Sequence, residues 1–139
     1  HAGPPVFGGP MSRNQRRNHD ENAFWSHLLN GSLPIAPPSE PFVLIGNSNL
    51  DPTAGDGLHA AMRALLTHPA LQDPQPLGRR PGAVADTVAT AWWPDGPGAM
   101  RVSYILPDTS ARVRDSGLIW PEEPARHALV WVELMPQGP

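Results

Sequence analysis

The sequence predicts an α/β layered domain. Three observations support this prediction: helical periodicity in the first half, apolar strands in the second half, and a strand followed directly by a helix between them. A length of 139 residues is enough for one core, and 40% hydrophobic and 17% charged residues are typical of a globular protein. Residues 1–139 are therefore interpreted as a single domain.

Two helices are predicted, at residues 20–30 and 57–67. In the first, Asp20 occupies the N-cap position, apolar residues recur at helical spacing, and Gly31 provides a stop signal. The second carries its apolar residues on one side and ends before a proline. Residues 1–18 are rich in Pro and Gly and then in basic and polar residues, and are predicted to be a loop.

One strand is predicted between the helices and three after them. The continuous apolar run of FVLIG, residues 42–46, predicts a strand that is buried on both faces. Four prolines make residues 32–41 a linker, and residues 70–98 are predicted to be a long irregular connection. The later strands are predicted in MRVSYILP, ARVRDSGLIW and HALVWVEL.

The residue types that are missing exclude several kinds of chemistry. All ten basic residues are Arg, which excludes a Schiff-base lysine and the lysine of a P-loop. The absence of Cys excludes disulfides, thiolate zinc sites and a cysteine nucleophile, and it permits an oxidising compartment. A net charge of -3 gives no basic footprint for nucleic acid. The first residue is His1, which predicts a processed chain or a fragment.

Short polar side chains follow the first predicted strand. After Gly46, the residues Asn47, Asn49 and Asp51 occupy alternate positions. Such residues hold a ligand at a strand end, or they simply form the turn, because Asn and Asp begin Asx turns. Ser103 is another candidate, a small polar residue within an apolar strand, and its alternative interpretation is an outward-facing position.

Four further candidates lie outside the apolar runs. His1 precedes a Pro-Pro loop and is either a site residue or a frayed terminus. Arg126 and His127 enter the last predicted strand, where a lone His is more often structural. Trp92 lies in the long connection, where an aromatic side chain forms either a substrate wall or a lid packed on the core.

The order of these motifs resembles the C-terminal half of the endonuclease/exonuclease/phosphatase family, in particular its bacterial, often exported branch. The most specific parts are FVLIGNSNLDP and RVSYILP, and RHALVWVEL follows them. The resemblance covers nearly the whole chain. It implies a four-layer α/β sandwich, two packed sheets flanked by helices, of which this chain forms the C-terminal half. It also implies a periplasmic or secreted location.

The resemblance further implies a reaction and a set of site residues. Family members hydrolyse phosphate esters, commonly with Mg²⁺ or another divalent cation, by activating a water for attack at phosphorus. Asn47 stands where the family has the aspartate that activates this water, and Asn49 corresponds to the asparagine that holds a phosphate oxygen. His1 corresponds to a histidine that binds the phosphate.

The second half of the chain completes this implied site. Ser103 stands where the family has an aspartate, and residues 125–127 correspond to a closing Ser-Asp-His whose histidine is His127. Three carboxylates are therefore replaced, by Asn47, Ser103 and Arg126. An amide cannot accept a proton at neutral pH, so Asn47 cannot be a general base. The residues predicted to bind substrate are Asn49, Arg126 and Trp92.

The resemblance places the metal ligands outside this chain. In the family an Asn and a Glu of the N-terminal half hold the metal, so no metal ligand is predicted here. Half of a sandwich leaves the inner face of a sheet bare, which costs roughly 25 cal/mol per Å² of exposed apolar area. A partner is therefore expected, either the N-terminal half of the same precursor or a second copy of the chain.

Three functions stay open from the sequence. The first is the C-terminal segment of a metal-dependent phosphoesterase-fold hydrolase that works with a cleaved N-terminal segment. The second is a catalytically silent relative that binds a phosphorylated or other anionic ligand, or a protein. The third uses Ser103 as nucleophile with His1 or His127 as base, although no nucleophile-elbow pattern surrounds this serine.

Overall fold

The computed structural model describes residues 1–122 and 125–136. The helices and strands of this part, in chain order, are α1 Arg13–Leu29, β1 Val43–Asn47, α2 Ala60–Leu66, β2 Ala91–Trp93, β3 Gly98–Met100, β4 Ser103–Pro107, β5 Val113–Ile119 and β6 Leu129–Leu134. Within these residues, neither helix is long and apolar enough to cross a membrane.

The strands form three antiparallel pairs. β1 pairs with β4 in a register that runs from Val43↔Pro107 to Asn47↔Ser103. β2 and β3 form a hairpin, and β5 pairs with β6. The described part of the chain is therefore a mixed α/β structure with small antiparallel sheets, in agreement with the predicted α/β class.

The buried residue Thr90 connects the hairpin to the other strands through both its backbone and its hydroxyl group. The N–H of Thr90 donates to the carbonyl of Met100 (2.9 Å), and the N–H of Ala128 donates to the carbonyl of Thr90 (2.9 Å). The Thr90 hydroxyl oxygen accepts the backbone N–H groups of Val102 (2.9 Å) and Ser103 (3.0 Å). One residue therefore fixes the start of β4 relative to the hairpin and to the segment before β6.

The main core lies between one face of the β1–β4 pair and α2. Its buried members are Leu50, Met62, Leu65, Leu71, Tyr104 and Leu106. The Tyr104 hydroxyl donates to the carbonyl of Arg101 (2.7 Å) and lies 3.0 Å from the carbonyl oxygen of Leu50. Burial raises the pKa of this phenol, so Tyr104 stays protonated and remains a donor at neutral pH.

Asp108 closes the other end of the β1–β4 pair. Its Oδ2 accepts the N–H of Phe42 (2.6 Å), and its Oδ1 accepts the N–H of Ser110 (2.8 Å). Burial opposes ionisation, but hydrogen bonds from the Ser110 hydroxyl and from the backbone outweigh it and lower the pKa of Asp108 from its ordinary 3.8. The charged carboxylate therefore holds the start of β1 against the end of β4.

The first helix differs from its prediction. It begins at Arg13, so the prediction of a loop is wrong for residues 13–18, and Asp20 lies inside the helix. Arg and Gln are good helix formers, which favours an early start. In addition, Asn18 and Asn22 lie one turn apart, are buried, and bind backbone carbonyls of the neighbouring segments. The second helix, α2, lies within the predicted range.

The prediction of a long irregular connection over residues 70–98 is wrong at the C-terminal end of this range, where β2 and the start of β3 form a hairpin. Pro and Gly dominate residues 94–98, and Gly98 has a φ of 80°, which glycine adopts at no steric cost. These residues form the turn of the hairpin rather than a loop without structure.

The prediction that the FVLIG strand is buried on both faces is also wrong. Ile45 is 67% exposed and Val43 is 37% exposed. Side chains alternate along a strand, so Val43, Ile45 and Asn47 share one face while Leu44 points to the core. The face of β1 that carries Val43 and Ile45 is largely uncovered by the described residues.

Candidate functional site at the end of strand 1

Two of the predicted site residues face each other where β1 ends and β4 begins. Asn47 is directly opposite Ser103 in the antiparallel register. Residues in such a pair project from the same face of the sheet, with Cβ atoms about 4.5–5.5 Å apart. The amide of Asn47 and the hydroxyl of Ser103 are therefore close neighbours.

The segment after Asn47 forms an Asx turn. The side-chain Oδ1 of Asn47 accepts the backbone N–H of Asn49 (2.9 Å). Asn49 has a φ of 48°, in the left-handed region that asparagine tolerates better than most residues. The turn chemistry given above as the alternative interpretation is thus present, and it positions the Asn49 side chain beside the end of the strand.

The N-terminal residues are attached to the same turn. The N–H of Ala2 donates to the carbonyl of Asn47 (2.9 Å), and Nδ2 of Asn49 donates to the carbonyl of Ala2 (2.8 Å). His1 is exposed, and its Nδ1 lies 2.8 Å from the Ala2 carbonyl oxygen. His1 and Asn47 both line a cavity of about 470 Å³ between α1 and β1. The structure therefore brings His1, Asn47, Asn49 and Ser103 together.

The buried face of α1 supports this turn through residues that the sequence analysis missed. Nδ2 of Asn18 donates to the carbonyls of Gly3 (2.7 Å) and Ser48 (2.8 Å), and Nδ2 of Asn22 donates to the same Ser48 carbonyl (3.1 Å). Both asparagines are buried. The signal in the sequence was the spacing of two amides four residues apart in RRNHDEN, which places them on one face of a helix.

Asp51 is structural. Its Oδ1 accepts the N–H groups of Thr53 (2.8 Å) and Ala54 (2.8 Å), and its Oδ2 accepts the N–H of Arg101 (2.7 Å). The side chain is buried. Because both carboxylate oxygens bind backbone N–H groups, Asp51 holds the turn after β1 to the segment that precedes β4.

His127 lies on the neighbouring segment. It forms an isolated bridge with Ala91, and its ring packs edge-on against the ring of Trp93 at a centroid distance of 5.4 Å. Thr90, next to Ala91, binds the N–H of Ser103. His127 is therefore linked to the start of β4 through this segment, and no hydrogen bond joins His127 to Ser103 among the described residues.

Trp92 and Arg126 lie together in a second cleft. The N–H of Trp92 donates to the carbonyl of Arg126 (2.9 Å), and both side chains line a cleft of about 320 Å³. The guanidinium carbon of Arg80 lies 4.5 Å from the centre of the Trp92 ring in the same cleft. Successive strand residues point to opposite faces, so Trp92 faces away from Trp93 and His127. Two of the predicted substrate-binding residues are thus separated from Asn49.

The donors at the strand end do not fit a metal ion by themselves. Within residues 1–122 and 125–136, no three His, Cys, Asp or Glu side chains are grouped so that they could hold one. The oxygens at the strand end belong to two amides and a hydroxyl, and the Asn47 oxygen already accepts a hydrogen bond. Mg²⁺ is usually bound through one or two carboxylates. These residues therefore need carboxylates from elsewhere to form a metal site.

Comparison with known proteins agrees with this architecture. The model of the Endonuclease/Exonuclease/phosphatase family matches residues 4–132, which defines the fold as that of a phosphoesterase-like hydrolase. This chain belongs to the Endonuclease/Exonuclease/phosphatase family. Members of this family typically use divalent metals. No curated protein and no solved structure matches the chain.

Proposed function

We propose that this chain is the C-terminal segment of a metal-dependent phosphoesterase-fold hydrolase and that its phosphate-ester site lies at the end of β1. The observation that carries this proposal is the pairing of Asn47 with Ser103, with Asn49 in the turn that follows and His1 next to Ala2, which binds this turn. In a chain of this family, four polar side chains at one strand end support a site for a polar ligand.

Asn49 has the best geometry for holding a phosphate oxygen. Its amide nitrogen carries two hydrogens, and one of them binds the carbonyl of Ala2. The second hydrogen can donate to a ligand. His1 lines the adjacent cavity, where its imidazole can donate a hydrogen bond to a phosphate oxygen. Neither Asn47 nor Ser103 supplies a carboxylate, so the chain's own residues bind and orient the ester without activating water efficiently.

A phosphate titration followed by two-dimensional ¹H–¹⁵N NMR tests this site. Inorganic phosphate is expected to shift the signals of Ser48, of Asn49 and of the Asn49 side-chain amide. An Asn49→Gly variant should bind phosphate at least about tenfold more weakly, because a hydrogen bond to a charged group contributes roughly 1.5–3 kcal/mol. Glycine also accepts the positive φ at this position.

Gln75→Gly is the matched control for this titration. Gln75 is also an amide residue with a positive φ, 49°, but it is exposed and lies in a different loop, whereas Asn49 is half-buried. Its variant should bind phosphate as the native chain does. Unchanged affinity in Asn49→Gly, or shifts confined to Arg79 and Arg80, would place phosphate elsewhere and contradict the proposal.

We also propose that an N-terminal segment of the same precursor covers the bare face of β1 and supplies the metal ligands. Two features support this partner. Val43 and Ile45 are exposed on a strand whose described pairing is with β4 alone, and Ile35 and Trp25 border the same apolar groove of about 490 Å³. Exposed apolar groups beside an open strand edge favour the addition of another strand-containing segment.

Substitution of Ile45 tests the partner. In the isolated chain, Ile45→Ser should change the free energy of unfolding by less than about 0.5 kcal/mol, because the side chain is mostly exposed. In the protein purified with its associated segment, the same change should weaken association at least about tenfold, since burying an isoleucine contributes roughly 1.5–3 kcal/mol.

Sedimentation velocity measures this association, and it also distinguishes a second copy of the chain from a different segment by mass. Val84→Ser is the control, because Val84 is 98% exposed in a loop. If both variants associate as the native protein does, the face of β1 that carries Ile45 is not the interface.

A catalytically silent binding module is the second candidate function. The engagement of the Asn47 oxygen within the turn favours it, because this amide contributes neither charge nor a proton acceptor. The two candidates differ in turnover. If the chain belongs to an active hydrolase, the purified protein, with any segment that accompanies it, should hydrolyse a phosphodiester in Mg²⁺ above the buffer rate. If it is a binding module, it should bind phosphate without hydrolysis. A periplasmic or secreted location remains a prediction from the resemblance.

A further inference from the structure

An apolar groove of about 520 Å³ lies next to the strand-end site. One wall is the N-terminal segment Pro4–Phe7, and the other is the β2–β3 hairpin with Trp93 and Met100. Asn49 lines the groove where it approaches the end of β1. The ring of Trp93 also contacts His127. The groove is therefore continuous with the residues of the proposed phosphate-ester site.

The charge of the groove limits what it accepts. Among the residues that line it, Asp56 is the one ionisable side chain, and no arginine contributes. An acidic group and apolar walls disfavour the repeated phosphates of a nucleic acid backbone, since these require cationic contacts. An uncharged apolar group fits this lining, because burying it needs no compensating charge.

Phe7 is exposed although it belongs to the groove wall. Its side chain is 98% exposed and its φ is 58°. A positive φ in an aromatic residue costs free energy, and such strain is commonly found at ligand-binding segments. Packing within the described residues does not explain this placement, whereas contact between the ring and a ligand in the groove would explain it.

We propose that this groove binds an uncharged, apolar or aromatic substituent of the phosphate-ester substrate while the phosphate lies at Asn49. The inference rests on the proposed function and names the substrate class: a phosphate ester with one apolar group, rather than a polyanion. Phe7 and Trp93 would contact this group from opposite walls.

Two ligands of equal charge test the inference. Phenylphosphonate and methylphosphonate differ in the apolar group, so their dissociation constants are compared by NMR titration in Mg²⁺, with the indole N–H of Trp93 as reporter. The phenyl compound should bind at least about tenfold more tightly, because its ring removes much more apolar area from water. In Phe7→Ala this preference should fall to about threefold or less, and Val84→Ala, equally exposed but remote, should retain it.

Substitution of Asp56 tests whether the charge of the groove selects an uncharged group. We expect 4-carboxyphenylphosphonate to bind more weakly than phenylphosphonate to the native chain, because its carboxylate enters the groove beside Asp56. Asp56→Asn should remove most of this difference, which is on the order of threefold for an exposed pair of like charges, and leave phenylphosphonate unchanged.

Benzyl alcohol, which has no phosphonate, separates failure of the groove from failure of the phosphate site. Equal affinity for both phosphonates overturns the groove inference and leaves the phosphate site intact. Binding of benzyl alcohol that depends on Phe7, without binding of either phosphonate, supports an apolar site and overturns the proposed function. If neither benzyl alcohol nor the phosphonates shift the Trp93 signal, the groove inference is overturned.

Discussion

The Asn47→Asp, Ser103→Asp double variant is expected to hydrolyse a phosphodiester at least about 100-fold faster than the native protein, the range contributed by general acid–base catalysis. The two side chains face each other at the end of the β1–β4 pair, so the change introduces two carboxylates on one face of the sheet. A carboxylate at residue 47 accepts a proton from water, which an amide cannot do. The rate is measured with bis(p-nitrophenyl) phosphate in Mg²⁺, on protein purified with any segment that accompanies it.

A neutral double variant controls for changes of size. Asn47→Gln, Ser103→Asn retains polar side chains at both positions without adding charge, so it should hydrolyse the ester no faster than the native protein. Equal rates for the native protein and the aspartate variant would show that the missing carboxylates do not limit this site.

Replacement of Asp73 is expected to destabilise the fold by about 3–5 kcal/mol, the cost of breaking a buried ion pair. Both oxygens of Asp73 accept hydrogen bonds from the Arg101 guanidinium, at 2.6 and 2.7 Å, and both side chains are largely buried. In Asp73→Asn the arginine keeps its charge without a charged partner. The guanidinium carbon of Arg101 also lies 4.6 Å from the centre of the Tyr104 ring, so a displaced arginine should also disturb the packing of this core residue. Urea unfolding measures the change.

Asp86→Asn is the matched control for the ion pair. Asp86 binds Arg79 at 2.9 Å, but both side chains are exposed, so this variant should lose less than about 1 kcal/mol. An Arg101→Met, Asp73→Leu double variant should be more stable than Asp73→Asn, because it buries no unpaired charge. Equal losses in Asp73→Asn and Asp86→Asn would contradict the importance of the buried pair.

The sequence predicted the order of the elements better than their environment. Alternation in RVSYIL predicts that Val102, Tyr104 and Leu106 share one face of a strand, and all three are buried. The same alternation placed Arg101 on the opposite side, whereas it is buried with Asp73. The partner is far away along the chain, so no local pattern could reveal the pair.

The exposed side of β1 illustrates a second limit of prediction from the sequence. An apolar run such as VLI indicates a strand that is buried on both faces in its complete setting, but it does not say which residues provide that burial. Leu44 packs on the core, whereas Ile45 is exposed in the described chain. The exposure of Ile45 is one of the observations that support the proposed partner segment.

The candidate site was predictable in part. The strand end and its polar residues followed from FVLIGNSNLDP, and the resemblance assigned Asn47 and Ser103 to one site, but their direct pairing is known from the structure alone. The attachment of Ala2 to Asn47 and Asn49, which brings His1 to the site, depends on contacts across the fold, as does the separation of Trp92 from this site. Such contacts are set by tertiary packing, which spacing alone does not specify.

Calorimetric titration with Mg²⁺ tests most directly whether the metal ligands lie outside this chain. We expect the native chain alone to bind Mg²⁺ with a dissociation constant no tighter than about 1 mM, because the strand end offers amide and hydroxyl oxygens rather than carboxylates. The Asn47→Asp, Ser103→Asp variant should bind at least about tenfold more tightly, since two facing carboxylates then share one ion. Tight binding by the native chain alone would contradict the account.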